Sequence, residues 1–317
     1  MRKILVTGSV GQIGSELLIA LRKDYGNENV IGVWNRTKPS EELSNGPMVN
    51  IDVRDKDALE KVILEKDVGQ IYHLVSILSA TGEKKPNLAW ELNVGSLKNV
   101  LDLAVKHNLE RVFWPSSIAV FGPTTPKENT PQRTVLEPTT IYGVTKLVGE
   151  GLCNYYFHKY GLDVRSLRYP GLISWKTPPG GGTTDYAVAI FYEGLRKGEY
   201  AFFVSEETRL PMMYMNDAIN GTINLMKAKK EDITIRTSYN HSAISFSAKE
   251  LELEVKKHLP DIKISYIPDE RQKIADSWPS SIDDSTARKD WNWCHEYDLK
   301  KMTTEMISNI KDKFDMK

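Results

Sequence analysis

Near its start the chain reads KILVTGSVGQIGSEL, an apolar run followed at once by glycines at positions 8, 11 and 14. The run suits a short buried strand, and the residues from about Gln12 to Lys23 carry the apolar spacing of a helix. Gly8, Gly11 and Gly14 between them allow a tight turn, close approach of backbone to a pyrophosphate, and close packing of helix on sheet. The helix start, at Gln12 and Ile13, offers unpaired N–H groups and a partial positive charge to a phosphate. The spacing is Gly-x-x-Gly-x-x-Gly, which departs from the Gly-x-Gly-x-x-Gly of most dinucleotide folds. Glycine marks turns of every sort. Its position between the first strand and a helix is what gives it weight here.

The theme repeats along the first half. NVIGVW, QIYHLVS and RVFWPSS read as further strands separated by helical stretches. Such alternation implies βαβ units, a parallel sheet and helices on both faces. After DVRSLRYPGLI the pattern changes, and Gly and Pro crowd into SWKTPPGGGTTDY. The expected fold class is α/β: a Rossmann-type doubly wound parallel sheet with a smaller mixed α/β C-terminal lobe. The first domain is placed at residues 1–172, with a return near 210–240, and the second at 173–317.

A chain of 317 residues can bury a substantial core. Its 42 Lys and Arg balance 42 Asp and Glu, so no bulk field draws it to nucleic acid or an anionic membrane. No apolar run approaches the ~18–20 residues that span a bilayer, and that of MRKILVTGSV is far too short for a secretory signal. Cys153 and Cys294 and the six scattered histidines show no metal-ligand spacing. These features fit a soluble cytoplasmic protein without metal or disulfide.

In TIYGVTKLVGEG, Tyr142 and Lys146 stand four apart, on one helical face. Ile141, Val144, Val148, Leu152 and Tyr155 form a separate apolar stripe that packing would use. A free phenol has a pKa near ~10 and is a poor base. A neighbouring ammonium favours its ionised form.

With the glycine turn and this Tyr-x-x-x-Lys pair, further stretches in order make the chain resemble the extended short-chain dehydrogenase/reductases. Asp52–Val53 falls where that superfamily holds adenine. HLVS, with Leu74 and Ser76, falls at the fourth-strand segment beside the cofactor. Asn93 of ELNVGS falls at the helix position that orients the active site. PSSIAVFG matches the segment bearing the catalytic hydroxyl, which falls on Ser117 with Ser116 beside it. RYPG, with Tyr169 and Pro170, matches the loop over the nicotinamide. The resemblance implies that Tyr142 takes the proton of a substrate hydroxyl while hydride leaves the same carbon for the nicotinamide. Ser117 would hold the substrate oxygen, and Lys146 would also bond the ribose. Plainer readings stand beside these: Ser116 could exchange roles with Ser117, and a mid-helix Asn93 could be satisfied locally.

The second half goes further. LRYPGLISWKTPPGGGTTDYAVAIFYEGL, LPMMYMNDA, ILSATGEK and IADSWPSSIDDSTARKDWNW are similar to the L-threonine 3-dehydrogenases of that superfamily. This implies an amino-acid substrate, L-threonine, oxidised at its hydroxyl to L-2-amino-3-oxobutyrate. Ser79, Thr183 and Thr184 would meet its charged ends, with Asp185 close by and Trp278 closing the pocket. Thr183, Thr184 and Asp185 also suit a helix cap, Trp278 suits plain core, and the GGG before them suits a hinged lid. The helix of Tyr142 continues as CNYYFHKY, apolar beyond its core side, as in helices buried on two sides. The superfamily commonly pairs this helix across a dimer interface, which implies a homodimer. Two other readings remain: a nucleotide-sugar epimerase or dehydratase of the same superfamily, and a non-catalytic dinucleotide-sensing protein.

The cofactor expectation is NAD(P), leaning to NADP. A site for NAD usually has an acidic residue ~20 residues past the glycines, bonded to the ribose. Here NVIGVWNRTK puts Trp34 at that place, followed by Asn35, Arg36, Thr37 and Lys38. Without the carboxylate, the fork of Arg36 suits a 2′-phosphate. In the competing reading Asn35 bonds the ribose hydroxyls and Arg36 stacks on adenine.

Overall fold

The computed structural model describes residues 2–315; the extreme ends of the two expected domains, position 1 and positions 316–317, lie outside them. Six strands follow one another in the first half: β1 (Lys3–Thr7), β2 (Val30–Trp34), β3 (Met48–Asn50), β4 (Val68–His73), β5 (Arg111–Ser117) and β6 (Val164–Tyr169). Helices α1 (Gln12–Tyr25), α2 (Lys56–Glu65), α3 (Ser79–Lys84), α4 (Pro86–Trp90), α5 (Ser96–Lys106) and α6 (Ile141–Tyr160) lie between them. The remaining strands are β7 (Gly171–Ile173), β8 (Glu199–Phe202), β9 (Arg209–Tyr214), β10 (Tyr239–Asn240), β11 (Ile244–Ser247) and β12 (Lys263–Tyr266).

A seven-stranded sheet runs β10-β6-β5-β4-β1-β2-β3. β1 is parallel to both β2 and β4, β2 to β3, and β4 to β5. Strands covered on both faces need continuous apolar runs rather than alternation. Leu5, Ile31, Val33, Ile71 and Val112 accordingly share one buried cluster with Leu97 and Val100 of α5 and Trp114 of β5. Strand order reverses between β1 and β4, which is where ligands bind in doubly wound sheets. The glycine turn leaves β1 at that point. The expected Rossmann-type α/β class is the observed one.

The chain divides into two compact units. The first comprises Met1–Ser117, Thr140–Arg168 and Ile219–Tyr239. Within it a buried ionic cluster fixes the last of these segments: Asp163 takes Arg165, Arg236 and Arg111 at 2.9, 2.8 and 3.1 Å. Arg165 also donates to the carbonyls of Leu225 and Ala228 at 2.5 and 2.8 Å, and Arg111 donates to that of Met226. The second unit comprises Ile118–Thr139, Tyr169–Ala218 and Asn240–Lys317. It holds a three-stranded sheet, β11-β9-β7, and a parallel pair, β12-β8. Among the described residues no helix is long and apolar enough to cross a membrane.

Candidate active site

Gly8 adopts φ +70°, and a Cβ there would stand 3.1 Å from the backbone of Leu74 and Val75. Only glycine lets the turn lie this close to the end of β4 in that conformation. A Cβ on Gly14 would run into the carbonyl of Gly8, so the start of α1 can pack on the turn only without one. Gly11 caps α1 without a side-chain bond, and its first turn carries no acidic residue. Ser15 makes the first bond back to Gly11 O, at 2.9 Å. The amides of Gln12 and Ile13 precede it, as the unpaired donors of a helix start do. This cradle fits a pyrophosphate on both counts, space and free donors.

Past the end of β2, Asn35 and Arg36 are exposed. Asn35 hydrogen-bonds the Asp52 carboxylate, which also accepts Arg54 Nη2 at 2.6 Å. The Arg54 bond is the largest influence holding Asp52 below its ordinary range. An ionised carboxylate only accepts, so Asn35 donates to it and keeps its amide oxygen as an acceptor. Arg36 has no hydrogen bond or ion pair among the described residues. Val53 is different in kind: its side chain belongs to the buried core, leaving only its backbone for a ligand.

At the end of β4, Leu74 N donates to Thr7 O at 3.1 Å. His73 is fully buried between Thr7 Oγ1 at 2.7 Å and Ser96 Oγ at 2.9 Å. Ser96 gives its one proton to Leu92 O, so it accepts from His73 Nε2–H, and Nδ1 accepts from Thr7. Burial pushes His73 down to about 3, which agrees with that neutral tautomer. Ser76 follows in the loop, and Ser79 is buried at the first residue of α3.

Asn93 sits in a π-helical stretch, Glu91–Gly95, between α4 and α5. Such one-turn widenings recur at functional sites. Its amide oxygen accepts Ile77 N at 2.8 Å and Ser76 Oγ at 3.2 Å, and its nitrogen donates to Ile77 O and to Thr145 Oγ1 at 3.0 Å. Asn93 is therefore satisfied across the fold, by the loop after β4 and by α6, not within its own helix.

α6 starts where Thr140 accepts Gly143 N at 3.1 Å. Ser117, at the end of β5, hydrogen-bonds the phenol of Tyr142. Burial pushes that phenol up to about 12, with the Ser117 bond acting the other way. Lys146 is buried, its Nζ 4.7 Å from the Trp114 ring centroid and 2.7 Å from Pro115 O. Burial pulls it down to about 7, with the Glu150 carboxylate acting the other way. Ser116 points elsewhere than its neighbour, giving its hydroxyl to Glu150 at 2.7 Å. Gly8, Gly11, Gln12, Ile13, Gly14, Asn35, Arg36, Asp52, Val53, Leu74, Ser76, Ser79, Asn93, Ser117, Tyr142 and Lys146 thus all belong to the first unit.

Tyr169, Pro170, Thr183, Thr184, Asp185 and Trp278 belong to the second unit. Tyr169 packs on His241, ring centroids 5.8 Å apart. Thr183 is buried and Thr184 partly so, just before α7 (Tyr186–Lys197). Asp185 occupies the cap position but makes no side-chain cap bond. Its own backbone is already helical, at φ −66° and ψ −13°, and its Oδ2 turns back to accept Gly180, Gly181 and Gly182 N–H at 2.7, 2.7 and 2.8 Å. The expected cap chemistry is replaced by a carboxylate seated in the glycine turn. Trp278 is buried at the end of a short helix, its carbonyl accepting Lys127 Nζ at 3.3 Å.

Residues 4–240 match the model of the NAD dependent epimerase/dehydratase family. The chain belongs to that family. A curated relative from Staphylococcus haemolyticus, named as an uncharacterized epimerase/dehydratase, is 46% identical over 316 residues, 99% of each chain. Among solved structures, an L-threonine dehydrogenase from Clostridium difficile is 47% identical with a TM-score of 0.96, covering 99% of this chain and 98% of that one. A GalE-like L-threonine dehydrogenase from Cupriavidus necator is 50% identical at TM-score 0.94, covering 98% and 100%. A UDP-glucose 4-epimerase from Thermotoga maritima, at 20% identity and TM-score 0.86, shares the fold.

Several pairings at this candidate site in an epimerase/dehydratase-family chain escaped the sequence reading: Thr145 with Asn93, Asn35 with Asp52, and Glu150 with Ser116. Glu150 left a trace, since it extends the four-residue spacing of Tyr142 and Lys146. The others depend on distant segments meeting and leave none.

Proposed function

We propose that this protein oxidises the hydroxyl of L-threonine to L-2-amino-3-oxobutyrate, with NAD(P) as cofactor. The observation that carries the chemistry is the Ser117 hydroxyl bonded to the Tyr142 phenol, with Lys146 four residues on and the glycine cradle in the same unit. NAD(P), when bound, supplies the hydride acceptor. Tyr142 takes the hydroxyl proton, Ser117 holds the oxygen as charge develops on it, and Lys146 supplies the field that favours phenolate. The full-length likeness to L-threonine dehydrogenases supports this substrate over a nucleotide sugar. Ser79, Thr183, Thr184 and Trp278 are proposed to hold the amino acid, with Asp185 acting through the glycine turn it fills.

The free, exposed Arg36 supports a site that accepts NADP at least as well as NAD. Tyr155 and Tyr160 stand on α6 with about half their surface open, which supports pairing of two copies along that helix. One solved relative is named as monomeric, so light scattering of the purified protein is the test of that pairing. Cofactor reduction followed by absorbance, with L-threonine and in parallel with UDP-sugars, tests the substrate. An epimerase or dehydratase returns the hydride to its sugar and accumulates no reduced cofactor, so the absence of reduction with L-threonine and either cofactor would overturn it.

A further inference from the structure

Three consecutive residues at the end of β5 are each tied to one stripe of α6. Pro115 O accepts Lys146 Nζ at 2.7 Å, Ser116 Oγ donates to Glu150 Oε1 at 2.7 Å, and Ser117 bonds the phenol of Tyr142. Tyr142, Lys146 and Glu150 are spaced by four, so the three ties follow one face of the helix. Glu150 carries a second attachment. Its carboxylate takes Arg168 Nε at 2.9 Å and Nη2 at 2.7 Å, a two-pronged pairing with its own geometric specificity. Both side chains are buried, at 3% and 2% exposure. Arg168 lies in β6 directly before Tyr169.

We infer that Glu150 is a positioning residue for the reaction: by holding Ser116 and Arg168 at once, it sets the angle at which Ser117 meets Tyr142. A buried carboxylate needs compensation, and the fork of Arg168 gives it charge balance. The Ser116 bond goes beyond that need. It fixes the residue adjacent to Ser117 against the helix that carries Tyr142, and it removes Ser116 from competition for the substrate oxygen. A positioned hydroxyl loses effectiveness steeply when it is displaced by a fraction of an ångström to an ångström. Only the activity arm of the test rests on the L-threonine reading.

The test uses full-length protein labelled with ¹³C at the tyrosine ring carbon that bears oxygen. The Tyr142 resonance is assigned by its loss in Tyr142→Phe, and Ser117→Ala shows its shift when the direct bond is gone. Ser116→Ala should move this resonance in the same direction and lower kcat about tenfold, with KM and cofactor binding unchanged. Glu150→Gln should do the same where it folds; Ser116→Ala leaves the Glu150–Arg168 pair whole and keeps the question answerable if it does not. An unmoved resonance in folded Ser116→Ala overturns the inference. If the wild type oxidises no L-threonine, the proposed substrate fails, while the resonance still decides the role of Glu150.

Discussion

Lys146 donates to Pro115 O at 2.7 Å, while its Nζ stands 5.5 Å from the ring centroid of Tyr142. Any influence of its charge on the phenol therefore runs through its field, and only while Lys146 is protonated. With the phenol pushed up to about 12 and Lys146 down to about 7, Tyr142 is neutral in the resting protein at neutral pH. Only its ionised form accepts a proton, so kcat/KM should rise with pH from about 7 upwards. Lys146 is itself losing its proton at about 7, so Lys146→Met should lower kcat/KM most at and below that pH, where the favouring charge is still present. A measured pH profile unchanged in that range would show that Lys146 has no hold on the phenol.

Tyr142→Phe should keep the fold and cofactor binding and lose roughly 10²–10⁴-fold in kcat, the scale of a positioned acid–base group. Steady-state kinetics with circular dichroism and cofactor titration check this. Turnover close to wild type would remove Tyr142 from the mechanism.

The two serines should separate by magnitude. With Ser117 as the proposed donor at the developing oxyanion, Ser117→Ala should cost about 10²–10³ in kcat. Ser116→Ala, whose hydroxyl is committed to Glu150, should cost clearly less. The reverse order in parallel assays would mean that the catalytic hydroxyl is Ser116.

L-Serine lacks the methyl group of L-threonine and should be the poorer substrate by roughly 10–200-fold in kcat/KM, the worth of one methyl in an apolar pocket. Equal rates with both amino acids would show that no pocket for the methyl exists.

For the cofactor, Arg36→Ala should weaken NADP by about 10–100-fold while sparing NAD, because a bond to a charged group is worth ~1.5–3 kcal/mol. Trp34→Asp should restore preference for NAD. Ratios of kcat/KM for the two cofactors decide it, and a strong NAD preference unchanged in Arg36→Ala would show that Arg36 holds no phosphate.

What was legible in the sequence was what local spacing determines. KILVTG followed by Gly8, Gly11 and Gly14 announces β1, the turn and α1, because apolar runs and glycine sterics act over a few residues. Tyr142 and Lys146 could be read as one helical face for the same reason. The π-helical turn that aims Asn93 at Ile77 and Thr145 has no local signature, since its partners come from the loop after β4 and from α6. Asp185 misled in an instructive way: its type and place suggest a cap, but three glycine amides outbid the helix start for its carboxylate.

The Asp163 cluster has a consequence for how this protein can be cut and recombined. Arg165, in β6, depends on carbonyls of residues 225 and 228, from a stretch of chain that arrives only after much of the second unit has been made. A fragment ending at residue 172 would keep the guanidinium and lose those acceptors, along with Arg236 from the carboxylate's set. Buried polar groups left without partners are costly. The first unit is therefore not an exchangeable cassette: a graft must carry residues 219–239 with it, and synthesis must run well beyond the last strand of the first half before that unit can close.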